Sequence, residues 1–212
     1  MSTPTTPTAG ARGDGHKISA RGEARRARII EVATSLLARN GSRGTSLAQI
    51  ASAAGVSQTG LLHHFSTKEQ LLHAVLDRRD EHENALLWRG GPDPGLGIFD
   101  IVADVVADWP KHPELVGLVA ILVAENVGTD AVLKDRLTAT YRATVARLEE
   151  TLVSARARGE IRADVDLHAK AIEILAFLSG LEMAWLVDSD VPAHATAIGW
   201  AAAQVEALAL TR

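Results

Sequence analysis

Cysteine is absent from the 212 residues, which excludes a disulfide, a thiolate zinc site and a cysteine nucleophile. Long apolar runs are also missing: the longest, residues 115–124, is about half as long as a membrane-spanning helix needs to be. The first residues contain no apolar segment of the kind that a secretion signal requires. We therefore expect a cytoplasmic protein that does not insert into a membrane.

The sequence also lacks sustained alternation of apolar and polar residues, hairpin turn signals and internal repeats, so no sheet is predicted. Apolar residues instead recur at three- and four-residue steps from residue 21 onward, and these stripes end at glycine, proline or asparagine. This spacing predicts an all-α fold of about nine helices. The later helices are expected at 96–109, 113–127, 130–158, 166–187 and 193–210.

Residues 1–16 are rich in threonine, proline and glycine and have no aliphatic run, so they cannot bury a core. We therefore predict three parts along the chain. The first is a disordered arm, residues 1–20. It is followed by a helix-turn-helix DNA-binding domain, 21–72, and by a ligand-binding and dimerisation domain, 73–212.

Charge is small in sum but unevenly distributed, since the formal net charge is −4. Residues 1–80 carry 11 basic and 6 acidic side chains, a net charge of +5, whereas residues 81–212 carry 11 and 20, a net charge of −9. A basic first part joined to an acidic remainder indicates that the first part binds an anion.

Two short helices joined by a tight turn are predicted within this basic part. Ser46 and Gln49 have the spacing of a capping box, which starts the first helix. Gly55 ends it, and Ser57 stands where it caps the next helix. This arrangement is typical of a helix-turn-helix motif, whose second helix lies in the major groove of DNA.

A longer segment makes the prediction more specific. Residues 29–76 resemble the DNA-binding domain of TetR-family transcriptional regulators through an ordered, ungapped series of matches that includes Asn40-Gly41, Ala54-Gly55-Val56-Ser57 and Ser66-Thr67-Lys68-Glu69. The resemblance implies a homodimer with two helix-turn-helix heads, usually a repressor at a palindromic operator. It also implies release from DNA by a small-molecule effector.

The same resemblance implies DNA contacts at particular positions. Gln58, Thr59 and Gly60 fall where the family's recognition helix meets base edges, with His63 as a further candidate. Glutamine pairs bidentately with adenine, and a threonine methyl group packs on that of thymine. Phosphate contacts are expected at Arg43, Thr45, Ser46, His64 and Lys68.

Position 62 departs from the family pattern. The family usually has a tyrosine there, and its hydroxyl commonly meets a phosphate, whereas this chain has Leu62. Because a leucine side chain donates no hydrogen bond, that contact is either missing or moved to His63.

The acidic part is expected to dimerise. The predicted helix 166–187 is apolar on every side, and such a helix is buried on every side. Together with helix 193–210, it is expected to form a four-helix bundle with the same pair from a second copy. In the TetR family the last two helices usually have this role.

A ligand cavity is expected in the acidic part, because seven of the eight aromatic residues lie beyond residue 87 and apolar pockets with a few polar groups are typical ligand sites. For each aromatic residue, the alternative is simple core packing. A buried carboxylate at Glu125 needs a partner, which would be Arg142, Arg147 or a cationic ligand. The expected lining residues are Phe99, Trp109, Leu122, Glu125, Asn126, Tyr141, Phe177 and Trp185.

No metal site, cofactor or catalytic site is predicted. His63 and His64 are adjacent and point about 100° apart on a helix, and His73 with Asp77 is better explained as a surface pair. No nucleophile–base pair or phosphate loop is present, so the chain is not expected to be an enzyme. The expected function is a ligand-responsive transcriptional regulator. The alternative is an architectural or constitutive DNA-binding dimer without a small-molecule ligand.

Overall fold

The structure is a computed structural model that describes residues 14–89, 91, 93–126 and 132–209, with side chains from residue 20 onward. Over these ranges the chain forms nine α-helices and no strand, apart from one isolated bridge between Ile161 and Ala209. The prediction of an all-α fold is confirmed. Of the predicted arm, residues 1–13 lie outside the described residues, and residues 14–20 belong to the first helix rather than to an arm.

The basic part of the chain forms the first four helices, and the acidic part forms the other five. The first four are α1 (Asp14–Asn40), α2 (Leu47–Ala54), α3 (Gln58–His64) and α4 (Lys68–Leu87). The others are α5 (Ile98–Asp108), α6 (Pro113–Glu125), α7 (Lys134–Ala157), α8 (Leu167–Val187) and α9 (Ala193–Leu208). We call α1–α3 with the first turn of α4 the head.

Local capping explains why α2 and α3 are short. Ser46 and Gln49 form the predicted capping box at the start of α2, and Gly55 ends α2 with a left-handed φ of +70°. At the start of α4, Thr67 caps the helix by accepting a hydrogen bond from the amide of Gln70.

The core of the head extends into the acidic part. Apolar side chains of α1–α4 pack in one cluster with Leu118 and Leu122 of α6 and with Leu133. A second cluster joins α5, α7, α8 and α9 around Phe99 and Ile174. Helix α6 therefore shares the core of the head.

The sequence predicts that α8 is buried on every side, but within one chain only one of its faces is buried. Its buried residues are confined to one face, namely Leu167, Ala171, Ile174 and Leu181. Large apolar side chains stand exposed elsewhere on it, and Val187 is 81% exposed. The apolar composition of α8 therefore exceeds what a single chain covers. Among the described residues no helix has the length and apolarity needed to cross a membrane.

Candidate nucleic-acid interface and ligand cavity

Helix α3 carries the candidate base contacts on its outer face. Leu61 is fully buried and Phe65, just after α3, is 3% exposed, so these two anchor it to the head. Gln58, Thr59 and His63 remain exposed. The helix starts where the hydroxyl of Ser57 accepts a hydrogen bond from the amide of Gly60 at 3.0 Å. The structure thus leaves the long polar side chains of α3 available to a partner.

The candidate phosphate contacts differ in how far their side chains are exposed. Arg43 and Ser46 are exposed, as a phosphate contact requires. Lys68 is half-buried, and its ammonium group donates a hydrogen bond to the carbonyl of Ser42. The side chain of Thr45 points inward: it is 2% exposed and donates a hydrogen bond to the Gly41 carbonyl at 2.8 Å. Its hydroxyl therefore holds the loop before α2 and does not face a duplex.

His64 is expected to contact a phosphate as a neutral ring. Partial burial, followed by the charges of His63, Arg25 and Arg26, lowers its pKa below the usual value. At neutral pH the imidazole is therefore mostly uncharged. Leu62 is 38% exposed beside it, where a tyrosine hydroxyl is usual in the family.

The head is attached to the end of α6 through Glu125. Its carboxylate accepts hydrogen bonds from the backbone amides of Ser42 at 2.8 Å and Arg43 at 3.2 Å. The Arg43 guanidinium donates in return to the carbonyl of Glu125 at 3.1 Å. We call these three hydrogen bonds the Glu125 clasp. The partner expected for Glu125 was Arg142, Arg147 or a cationic ligand, but the structure gives it two amides that lie more than 80 residues away in sequence.

The clasp depends on a glycine and on an ionised carboxylate. Gly41 has a φ of +71°, and a β-carbon there would lie 2.4 Å from a carboxylate oxygen of Glu125. Burial alone would raise the pKa of Glu125, but the hydrogen bonds from Ser42 and Arg43 outweigh it and lower that pKa below its usual range. Glu125 therefore stays charged at neutral pH.

A cavity of about 300 Å³ lies between α4, α5, α6, α7 and α8. Most of its wall is apolar, with Leu76, Val105 and Val119 among the lining side chains. Two of the predicted ligand residues line it, Trp109 and Tyr141.

The other six predicted ligand residues do not line this cavity. Phe99 and Leu122 are fully buried in the core clusters, because each lies on the inner face of its helix. Phe177 stacks on Trp200 at 4.0 Å between ring centroids, and Trp185 lies behind Trp109 at 5.9 Å. Glu125 forms the clasp. Asn126 donates a hydrogen bond to the carbonyl of Leu122 and accepts one from the amide of Leu133.

The cavity also has charged groups that were not predicted from sequence, which are Arg79, Asp80, Glu83 and Glu182. Arg79 pairs with Glu83, and Arg136 pairs with Asp80 at 2.6 Å. Glu182 has no hydrogen bond or ion pair to another described residue. Burial raises its pKa to about 7, opposed by the charge of Arg79 and reinforced by that of Glu83.

One donor in the cavity wall is also unsatisfied. The Nε–H group of Arg79 is buried and has no hydrogen-bond partner among the described residues. Buried polar groups normally have a partner, so this donor is an exception that calls for an explanation. No sequence motif signals these groups, because they come from α4 and α8, about 100 residues apart in the chain.

Comparison with known proteins identifies both halves of the chain. Residues 29–75 match the family model of bacterial regulatory proteins of the tetR family. Residues 101–199 match the model of the tetracyclin repressor-like C-terminal domain. These two segments cover the head from residue 29 onward and most of the acidic part.

Individual relatives agree with the family models over most of the chain. The HTH-type transcriptional regulator SrpR of Pseudomonas putida is 26% identical over 181 residues, which is 84% of this chain and 83% of SrpR. A putative TetR-family regulator from Rhodococcus sp. superposes with a TM-score of 0.73 at 26% identity, over 89% of this chain and all of that one. A TetR regulator from Chloroflexus aurantiacus gives 0.77 at 25% identity, over 90% and 98%. The chain therefore belongs to the TetR family of DNA-binding transcriptional regulators, a family of proteins that are not enzymes.

Proposed function

We propose that this regulator is a repressor that binds an inverted-repeat operator as a homodimer and leaves it when an apolar cation enters the cavity. The observation that carries the proposal is the cavity itself. It has an apolar wall and a carboxylate without a partner, and α4 and α6, which line it, also contribute to the core of the head.

The DNA side of the proposal rests on the exposed face of α3. Gln58 and Thr59 would meet base edges, while Arg43, Ser46, His64 and Lys68 would meet phosphates around them. Phosphate contacts supply affinity that depends on salt but not on sequence. Thr45 is expected to contribute by holding the loop in place, since its side chain is buried.

Dimerisation through α8 and α9 is supported by the apolar side chains that one chain leaves exposed. On α8, Met183 is 51% and Val187 81% exposed, and on α9, Ile198 is 51% exposed. Exposed apolar patches of this kind mark protein interfaces. A second copy of the same two helices would cover them in a four-helix bundle and would set two heads about 34–36 Å apart, the spacing of successive major grooves.

The chemistry of the cavity favours a ligand with an apolar body and a cationic group. Glu182 would pair with the cation, and a ligand that carries charge into this site would restore the ionised form of the carboxylate. The buried Nε–H group of Arg79 would donate to an acceptor on the same ligand. The apolar wall, including Trp109, would cover the rest of it.

Two connections would carry the effect of the ligand to the head. Helix α4 lines the cavity through Leu76, Arg79 and Glu83 and begins in the head. Helix α6 lines it through Val119 and Val123 and ends in the Glu125 clasp. A ligand that favours a different position of either helix shifts the population of DNA-competent dimers. A coupling of about 1–3 kcal/mol would weaken operator binding roughly 5–150-fold.

The cavity can be tested with a panel of amphipathic amines, each paired with its neutral isostere, while tryptophan fluorescence is recorded. We expect amines to quench or shift the emission of wild-type protein, with Trp109→Phe removing most of the signal. Glu182→Gln should weaken the amines by at least about tenfold and leave the neutral isosteres unchanged. Equal binding of both series to both proteins would contradict a cation site.

The alternative is a constitutive or architectural DNA-binding dimer. It predicts a weak sequence preference and no effect of any bound amine on the salt-dependent affinity for DNA. Measuring operator affinity with and without a bound amine distinguishes the two. The unpaired Glu182 favours the ligand-responsive proposal, because a carboxylate without a partner contributes no stabilising contact to the fold.

A further inference from the structure

We propose that His82, Asp108 and His112 form a binding site for one divalent metal ion of the zinc type, separate from the effector cavity. His82 lies on α4, Asp108 ends α5, and His112 stands in the turn before α6. One ligand atom from each of the three residues lies within 4.8 Å of the others. In the described part of the chain, the fold thus brings together three side chains that can bind a metal, two from helices and one from a turn.

The three side chains are already arranged around a common point. Nε2 of His82 lies 2.8 Å from one carboxylate oxygen of Asp108, and the rings of His82 and His112 are 4.6 Å apart between centroids. The side chain of Asp108 is only 13% exposed, so its orientation is fixed by packing. Its other oxygen is held by Lys111 at 3.1 Å, which leaves the oxygen beside His82 for a metal.

Two imidazoles and one carboxylate suit zinc rather than magnesium or calcium. Zinc binds nitrogen and oxygen ligands at about 2.0–2.2 Å, so tetrahedral ligands lie about 3.3 Å apart. His82 and Asp108 would separate slightly as the ion replaces the proton that they share, and His112 would turn inward by a rotamer change. Glu114, 3.9 Å from Nδ1 of His112, adds a further negative charge near the site. A fourth position remains for water or for a ligand.

The metal ion would connect helices that also border the cavity. The ion would join the C-terminal half of α4 to the corner between α5 and α6. A narrow pocket beside the three residues includes Glu83, Trp109 and Glu182, which also line the effector cavity. Metal binding would therefore fix α4 and α6 relative to each other at the point where the cavity begins.

The test measures metal binding directly, without DNA or effector, so that its result is independent of the proposed function. Tag-free protein is stripped with EDTA and dialysed against Zn²⁺, and bound metal is counted by elemental analysis. We expect one zinc per chain in the wild-type protein and a rise in melting temperature. His82→Ala, His112→Ala and Asp108→Asn should each weaken zinc binding at least about tenfold. Mg²⁺ should neither bind nor stabilise.

His168→Ala is the matched control. His168 also pairs with a carboxylate, Glu149, at 2.8 Å, but no third ligand accompanies that pair in the described residues. The control should bind zinc as the wild type does. Circular dichroism verifies the fold of every variant, and Asp108→Asn preserves the shape of the site if an alanine variant unfolds. Absence of zinc from the wild type, equal binding by the three variants, or equal loss in His168→Ala would overturn the proposal.

Discussion

At the scale of single residues, Gly41 allows the close contact between the head and Glu125 of α6. It combines a left-handed φ with a close approach to Glu125, and neither feature tolerates a β-carbon. We expect Gly41→Ala to destabilise the protein in urea unfolding by about 1–2 kcal/mol for the backbone and by about 1–3 kcal/mol more for the displaced clasp.

Gly55→Ala separates these two costs. Gly55 has nearly the same φ, +70°, but nothing lies within 4 Å of a β-carbon there. It should therefore show the backbone cost alone. In a Glu125→Ala background the two glycine variants should become equal, since the clasp is then absent. If the difference between them persists without Glu125, the clasp is not its origin.

Glu182 makes stability depend on pH. Its pKa is about 7 in the folded protein and about 4.3 in an unfolded chain, so the folded state holds the proton more tightly between these values. Wild-type stability is therefore lost as the pH rises through that window. Glu182→Gln does not titrate at this position. In urea unfolding with EDTA, the free energy of unfolding of this variant minus that of the wild type should therefore grow from pH 4 to 7. It should then level off at about 1–3 kcal/mol. A difference that stays constant with pH would refute this assignment.

Individual residues differ in how far sequence predicted them. The capping box at Ser46 and the helix end at Gly55 were predictable, because their partners lie within a few residues. The roles of Glu125 and Glu182 were not, because Glu125 binds amides some 80 residues away and Glu182 faces a helix about 100 residues away. The contact of His82 with Asp108 was not predictable either, because 26 residues separate them. Only the packing of helices brings such groups together.

At the scale of helices, periodicity located the elements well. The predicted helices 113–127 and 166–187 agree with Pro113–Glu125 and Leu167–Val187 to within two residues at each end. Their apolar composition indicated that both helices pack against other elements, but it did not indicate which element covers each face. Helix α6 buries Leu118 in the core and turns Val123 to the cavity, whereas α8 leaves apolar residues exposed.

The exposed face of α8 gives a prediction at this scale. Met183→Glu should convert the dimer into a monomer at micromolar concentration in analytical ultracentrifugation, because a charge would be buried without a partner in the interface. The matched control is Val153→Glu on α7, where Val153 is 45% exposed but outside α8 and α9. It should leave the dimer intact. Dimers in both variants would contradict an interface at α8.

At the scale of the whole molecule, the distribution of charge agrees with the proposed roles, DNA binding by the head and ligand binding by the remainder. Residues 1–80, which include the head, carry a net charge of +5. Residues 81–212, which supply most of the cavity lining, carry a net charge of −9. An acidic body is repelled by the duplex, so electrostatics would orient the dimer with its heads toward DNA. The net charge of −4 alone gives no hint of this arrangement.

The head also makes a prediction about affinity as a function of salt. Lys68→Ala should weaken binding to specific and random DNA alike and should reduce the slope of log affinity against log salt by about 1. Gln58→Ala should leave that slope unchanged. Fluorescence anisotropy at several salt concentrations measures both. Identical slopes for Lys68→Ala and wild type would remove Lys68 from the phosphate contacts.

The central claim is that the dimer reads DNA sequence through Gln58 and Thr59 on α3. Its most direct test is selection of bound sequences from a random DNA library by purified wild-type protein and by Gln58→Ala. We predict that the wild type enriches an inverted repeat with half-sites about one helical turn apart. Gln58→Ala should enrich the same repeat with relaxed preference at one base pair in each half. No enrichment by the wild type, or an unchanged motif in Gln58→Ala, would contradict the claim.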